Sequence, residues 1–248
     1  MLTHSHIAGS GHEIWIQPAG PSGAGLTFDV HIGGGGIASI ASLAHRKATK
    51  GRSFVINGTF FFNGSILGDM LRRDGHFRKT AEPKAKKRFG FAITTFGQPT
   101  VYEREPLPDD PTQLEAVYTA MYSMAMGGLG RLLEGGVNKA ARSILKDPAG
   151  QYFQDDAIRE APRSALGIDN RGRVMVFVAT PGPDPANYGM TPDEMAVFMK
   201  ARGVTDAVFL DGGRSTSLAV NGRVLMTGGN YAAGGNDSTI PCWVIGYE

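Results

Sequence analysis

Asp211-Gly212-Gly213-Arg214-Ser215-Thr216-Ser217 is the stretch of this chain best equipped for chemistry, and it follows the apolar run Ala207-Val208-Phe209-Leu210 with no spacer. An apolar run that stops at Asp-Gly-Gly reads as a buried strand whose end turns sharply, delivering a carboxylate and small polar groups to a sheet edge. The glycines let the backbone approach a ligand, and successive N–H groups in such a turn can line a hollow for an anion. Asn57-Gly58-Thr59, which ends the apolar run Phe54-Val55-Ile56, repeats the pattern with an amide in place of the acid. A plainer reading stands beside each: Asp before Gly braces its own turn, and Asn-Gly is a common turn pair. Spacing alone leaves both open.

Period and punctuation give the elements that must carry these turns. Glu13–Gln17 and Leu26–Ile32 read as strands joined by the Pro/Gly-rich turn Pro18–Gly25. After the glycine run Gly33–Gly36, residues Ile37, Ile40, Ala41 and Ala44 share one helical face. That run lacks the Lys-Ser/Thr ending of a nucleotide loop, so it reads as a strand-to-helix joint. Phe89–Thr95 is a further strand, and Leu114–Met126 reads as one amphipathic segment whose methionines face a core. Arg163–Ile168 and Arg173–Val178 flank Asn170-Arg171-Gly172 as a hairpin, and Leu218–Val220 with Arg223–Thr227 flank Asn221-Gly222 as another. Between them, Thr191-Pro192-Asp193-Glu194 starts a helix with proline at its first position and a reciprocal capping pair, and Gly203 ends it. Ile240–Tyr247 is the last strand. The expected fold is α+β, a mixed and largely antiparallel sheet core with flanking helices.

The length of 248 residues favours one domain over the whole chain, and 42% hydrophobic with 19% charged residues excludes wholesale disorder. A net charge of +2 is too small to argue for a nucleic-acid partner, and the basic run Lys84-Ala85-Lys86-Lys87-Arg88 reads as a solvated loop. No apolar stretch is long enough for membrane insertion, and no export signal is legible at the start, which suggests a soluble chain that is cytoplasmic or has lost its signal. Cys242 is the one cysteine and reads as a packed core thiol. His4, His6 and His12 form the only histidine cluster, in a stretch expected to be a mobile tail.

Three ordered segments together resemble the phosphodiester glycosidase family: Phe54–Phe61, Pro162–Gly167, and Gly189-Met190-Thr191 running on to Leu210–Thr216. Weaker echoes are Gly68-Asp69-Met70, Asp74-Gly75 and Gly127–Gly130 with Leu132-Leu133, so the motif-bearing part spans roughly residues 50–248. Two departures stand out. Relatives continue the strand after Arg173–Val178 into Asp-Gly-Arg, where this chain reads Ala179-Thr180-Pro181-Gly182-Pro183, and Arg214 stands where a third glycine is commoner.

The resemblance implies a hydrolase cleaving the glycosidic bond of a sugar-1-phosphodiester to free sugar and phosphomonoester. The leaving group is already acidic, so charge stabilisation outweighs proton donation. Arg163 then stands as a phosphate clamp, because a guanidinium holds two phosphate oxygens in a fork. Asp211 is the central carboxylate, activating water, stabilising charge at the sugar carbon or holding a cation. Asn57 completes the expected catalytic set, with Gly58, Gly212, Gly213, Arg214, Ser215 and Thr216 binding substrate. A second acid would come from Glu194, Asp69 or Asp169, Glu194 reading first as a cap. A metal, if one binds, would take an oxygen-rich Ca²⁺ or Mg²⁺ site near Asp211. The missing Asp-Gly-Arg and the unsettled second acid keep one rival in play, a non-catalytic module binding a phosphorylated sugar or nucleotide. The same anion site taking a ribose-phosphate gives another, a nucleotide-signal phosphodiesterase or sequestering protein.

Overall fold

The computed structural model describes residues 2–7, 11–19, 24–33, 35–62, 65–80, 89–104, 107–140, 160–180, 189–227 and 240–248. The basic run at 84–88 and the departure at 181–183 lie outside these. In chain order the elements begin with β1 (Leu2–Ile7), β2 (Gly11–Ile16), β3 (Thr27–Ile32), α1 (Ile37–Lys47), β4 (Ser53–Asn57), β5 (Phe61–Phe62) and β6 (Ser65–Ile66). There follow β7 (Met70–Leu71), β8 (Phe77–Arg78), β9 (Phe89–Thr94), β10 (Pro99–Glu103), α2 (Pro111–Met121), β11 (Tyr122–Glu134) and β12 (Val137–Asn138). The last are β13 (Arg163–Asp169), β14 (Val174–Ala179), α3 (Pro192–Ala201), β15 (Val204–Gly212), β16 (Leu218–Val220), β17 (Arg223–Met226) and β18 (Cys242–Tyr247).

Strand alternation decides how these elements stack. In β4, Phe54 and Ile56 point one way and Val55 the other; in β15, Val208 and Leu210 oppose Ala207 and Phe209. Such two-faced strands need cover on both sides. An eleven-stranded sheet runs β1-β2-β14-β13-β15-β11-β7-β8, with β9, β10 and β12 joined through β11, and a five-stranded sheet runs β17-β16-β4-β18-β3. Their facing sides share one core that includes Ile14, Phe28, Phe54, Ile56, Leu166, Val208, Leu210, Leu218 and Val244. The outer face of the small sheet takes α1 through Ile37, Ile40, Ala41 and Ala44 against Val55, Trp243 and Ile245. The outer face of the large sheet takes α3 through Met195, Ala196 and Met199 against Ala165, Phe177 and Phe209. Every ladder between these strands is antiparallel, and the parallel component among the described residues is the isolated bridge Pro18–Leu26. The α+β, sheet-dominated architecture expected from the sequence is what the chain adopts.

Two expectations are corrected. Leu114–Met126 is a helix running directly into a strand: Leu114 and Tyr118 are buried at helical spacing in α2, whereas Met124 and Met126 face the sandwich core from β11 at strand spacing. A window spanning that switch blends two periods into one apparent stripe. The histidines at the start do not lie in a loose tail. His4 and His6 are in β1 and His12 in β2, and β2 pairs with β14 along its length. Ile14 and Ile16, fully buried in the core, are what tie this hairpin down.

Candidate functional site

The two acid- and amide-bearing turns meet at one end of the sandwich. Asn57, the last residue of β4 in the small sheet, has no solvent exposure, and its Nδ2 donates to the backbone carbonyl of Asp211 at 2.6 Å. Its Oδ1 accepts from Ser164 Oγ at 2.6 Å and from the Ser217 amide at 3.2 Å. The Asp211 amide donates to the Gly58 carbonyl at 3.1 Å, so residues 57 and 58 hold Asp211 from both backbone sides. One side chain therefore ties β4, β13, β15 and the start of β16 together. Gly58 is required by closeness and not by backbone angle: a Cβ there would overlap Cys242 Sγ and stand 2.8 Å from the Cys242 carbonyl oxygen.

Asp211 itself is half-buried, and its Oδ1 accepts from the Gly212 amide at 2.9 Å, the brace expected of Asp before Gly. The Gly213 amide donates to Pro162 O at 2.8 Å, the Thr216 amide to Gly213 O at 3.2 Å, and the Ser217 amide to Asn57. The row of N–H groups that the sequence offered for an anion is thus largely engaged within the protein. Gly213 sits at φ +59, the left-handed region that favours glycine, and opens a 3-10 turn over Gly213–Ser215. Arg214 projects from that turn into solvent, whereas Ser215 and Thr216 are buried. The Thr216 hydroxyl has no hydrogen-bond partner, and neither does that of Thr59, two residues past Asn57. A buried hydroxyl left unpaired costs about 1–3 kcal/mol, so both are groups that an incoming polar atom would satisfy.

Arg163 opens β13 directly opposite Gly212 of β15. It is 1% exposed, and its Nε donates to Met190 O at 2.8 Å, the same carbonyl that accepts from the Ala161 amide at 3.3 Å. That fixes the guanidinium alongside Gly212, where a Cβ would stand 3.5 Å from Arg163 Nη1. Thr191 follows Met190 and caps α3. Its hydroxyl accepts from the Glu194 amide at 3.2 Å while Glu194 Oε2 accepts from the Thr191 amide at 2.8 Å. The capping box anchors the segment that orients Arg163.

The candidate second acids divide by place. Asp169 closes the far end of β13, six residues and about 20 Å from Arg163, where it accepts from the Arg171 and Arg173 amides and pairs with the Arg173 guanidinium. It belongs to the hairpin turn. Asp69 is buried against Arg104 and accepts from the Thr80 amide at 2.9 Å. Its backbone carbonyl takes the Gly127 amide at 2.8 Å, and Gly128 packs against the Thr59 hydroxyl, so Asp69 supports the wall next to Asp211. Among the described residues, no group of three or more His, Cys, Asp or Glu side chains gathers to hold a metal. Cys242 is buried and its thiol is pushed up to about 12 by desolvation, which keeps it an uncharged packing group.

Asn57, Arg163 and Asp211 are brought together, as the sequence led us to expect, and they sit on strand ends more than on loops. Ser164 and Thr59 received no role from the sequence. Ser164 shares a strand with Arg163 at the next position, so alternation alone puts its hydroxyl on the opposite face, toward the small sheet. Thr59 carried no signal beyond its place after Asn57-Gly58.

The phosphodiester glycosidase family profile matches residues 50–242. No curated protein matches the sequence. Among solved structures, the catalytic domain of zebrafish N-acetylglucosamine-1-phosphodiester α-N-acetylglucosaminidase, auto-inhibited by its pro-peptide, superposes with TM-score 0.67 at 20% identity, covering 99% of this chain and 88% of that one. A hypothetical protein from Synechocystis gives TM-score 0.60 at 15% identity; the match covers all of this chain, 100%, and 61% of the other. A Burkholderia pseudomallei protein described as exported gives 0.66 at 14%, covering 96% and 73%. At these identities the likeness is one of fold.

Proposed function

This chain belongs to the phosphodiester glycosidase family, and we propose that it hydrolyses the bond between the anomeric carbon of a sugar and a phosphodiester oxygen. Water supplies the new anomeric hydroxyl, the C–O bond breaks, and the bridging oxygen leaves with the phosphate as a phosphomonoester. The observation that carries the reading is the meeting of the Asp211 turn, the Arg163 guanidinium and two unpartnered buried hydroxyls at one end of the sandwich. Arg163 places a permanent positive charge beside Gly212, suited to a phosphate that gains charge as the bond breaks. Asp211 supplies the carboxylate for the sugar side, either on water or on the developing positive carbon. Thr216, with Ser215 beside it, offers a hydroxyl to the phosphate oxygens. Asn57 acts as a positioning residue, since its amide holds the Asp211 backbone. A Ca²⁺ or Mg²⁺ ion, if bound, would be held by the Asp211 carboxylate, and loss of turnover on chelation tests for it.

The name of the zebrafish protein makes an N-acetylglucosamine-1-phosphodiester the first substrate to try, followed by other sugar-1-phosphodiesters and nucleotide sugars. Turnover in ¹⁸O-water, followed by phosphorus NMR and mass spectrometry with and without chelator, tests the reading. Label in the sugar and none in the phosphate is expected. Label in the phosphate would instead mean P–O cleavage and a phosphodiesterase, and saturable binding without product across the panel would mean a binding module. Asp211→Asn and Arg163→Ala should each lower kcat/KM by about a hundredfold or more. Full activity in both would remove the site assignment.

A further inference from the structure

The β1–β2 hairpin lies outside the family match and carries histidines that the glycosidase reading leaves unused. His6 pairs directly with His12 across the ladder, and His4 lies two residues along β1 on the same face. His4 Nε2 and His12 Nδ1 are 3.1 Å apart, with the two rings stacked at a centroid separation of 5.2 Å. The His6 ring is 4.9 Å from that of His12. Two nitrogens bound to one tetrahedral ion at about 2.1 Å stand about 3.4 Å apart, so His4 and His12 are already close to ligand separation. His6 is exposed, and an exposed side chain changes rotamer freely, so the third donor joins on binding and does not converge beforehand. In the free hairpin His4 Nε2 and His12 Nδ1 share a hydrogen bond, so one of them carries a proton, and ion binding moves that proton to the other nitrogen of the same ring.

We propose that His4, His6 and His12 bind one divalent transition-metal ion of the imidazole-preferring kind, Zn²⁺, Ni²⁺ or Cu²⁺, on the edge hairpin of the large sheet. The ladder continues from His12 to Val178 and from Val178 to Ser164, so the ion sits in the same row as the candidate catalytic end, two strands and about 10 Å from Ser164. It fastens β1 to β2 where, among the described residues, β1 has no further strand to hold it.

The test uses the full chain and metal alone. Calorimetry with Zn²⁺ at neutral pH should give one site, and Cu²⁺ electron paramagnetic resonance should show coupling to three imidazole nitrogens. His12→Asn should weaken Zn²⁺ binding by about tenfold or more, and the His4→Asn/His6→Asn/His12→Asn variant should lose it. His31→Asn and His45→Asn should leave it unchanged. Equal Zn²⁺ affinity in the wild type and the triple variant, or coupling to fewer than three nitrogens, would overturn the proposal. Circular dichroism of the triple variant checks that the fold is intact, and the resonance of the wild type decides the matter without any variant.

Discussion

Asn57→Ala is the sharpest probe of how the site is built. The Asp211 carbonyl, the Ser164 hydroxyl and the Ser217 amide all lose one shared partner at a position with 0% exposure. A buried polar group stripped of its partner costs about 1–3 kcal/mol, and water entering the vacated amide volume recovers part, which puts the loss at about 3–6 kcal/mol. Ser164→Ala removes one donor while Asn57 Oδ1 keeps the Ser217 amide, so it should cost only about 1 kcal/mol. In the double variant the stranded Ser164 hydroxyl is gone. The combined loss should therefore fall short of the summed singles by about 1 kcal/mol. Urea unfolding followed by tryptophan fluorescence measures this, with m compared between variants. Asn57→Ala should also lower kcat more than it raises KM, because Asp211 keeps its carboxylate and loses its support. A cost for Asn57→Ala within about 1 kcal/mol of Ser164→Ala at unchanged m, or full additivity, would refute the tie between the sheets.

Gly58→Ala should destabilise by about 1–3 kcal/mol, and adding Cys242→Ala should restore only part, because the carbonyl oxygen 2.8 Å from the new methyl remains; thermal midpoints report both. Glu194→Ala should cost about 1 kcal/mol as a lost cap with activity kept within a few-fold, whereas a collapse of kcat with an unchanged midpoint would mark it as a reacting acid. Asp69→Asn removes the buried charge partner of Arg104, leaving its guanidinium to Leu107 O and Asp109, and should cost about 3 kcal/mol in urea unfolding; a neutral result would show that the pair does not brace the Gly127 wall. His12 has a folded pKa below its value of 6.5 in a free chain, so its neutral ring supports the hairpin fully above pH 6.5 and that support drains as pH falls toward about 4. Imidazole proton shifts should titrate near pH 4, and a midpoint near 6.5 would contradict the burial argument.

Where one period governed a whole segment, the sequence was easy to read. The Asn170-Arg171-Gly172 hairpin, the Thr191–Glu194 cap and the Asn221-Gly222 turn are local events, and each formed as its residues require. The start of β11 was illegible because it follows α2 without a break residue, and β1 because polar Thr3, His4, Ser5 and His6 mask an edge strand held by its neighbour, whereas β2 was read as a strand from Glu13 onward. At the site, turn chemistry pointed to Asp211 and Asn57, yet it could not say that the amide would be consumed by Asp211, Ser164 and Ser217. Those contacts join residues more than a hundred positions apart, and only the stacking of two sheets brings them within reach.

Since the aspartate's main chain hangs from the opposing layer, the gap between the layers sets its position. Leu210 and Ile56, each adjacent in sequence to one end of that link, fill the gap itself. Trading either for a larger or smaller hydrocarbon would reset the reach of the acid without touching a single polar group, so the oily filling of this protein works as a tuning screw for its chemistry.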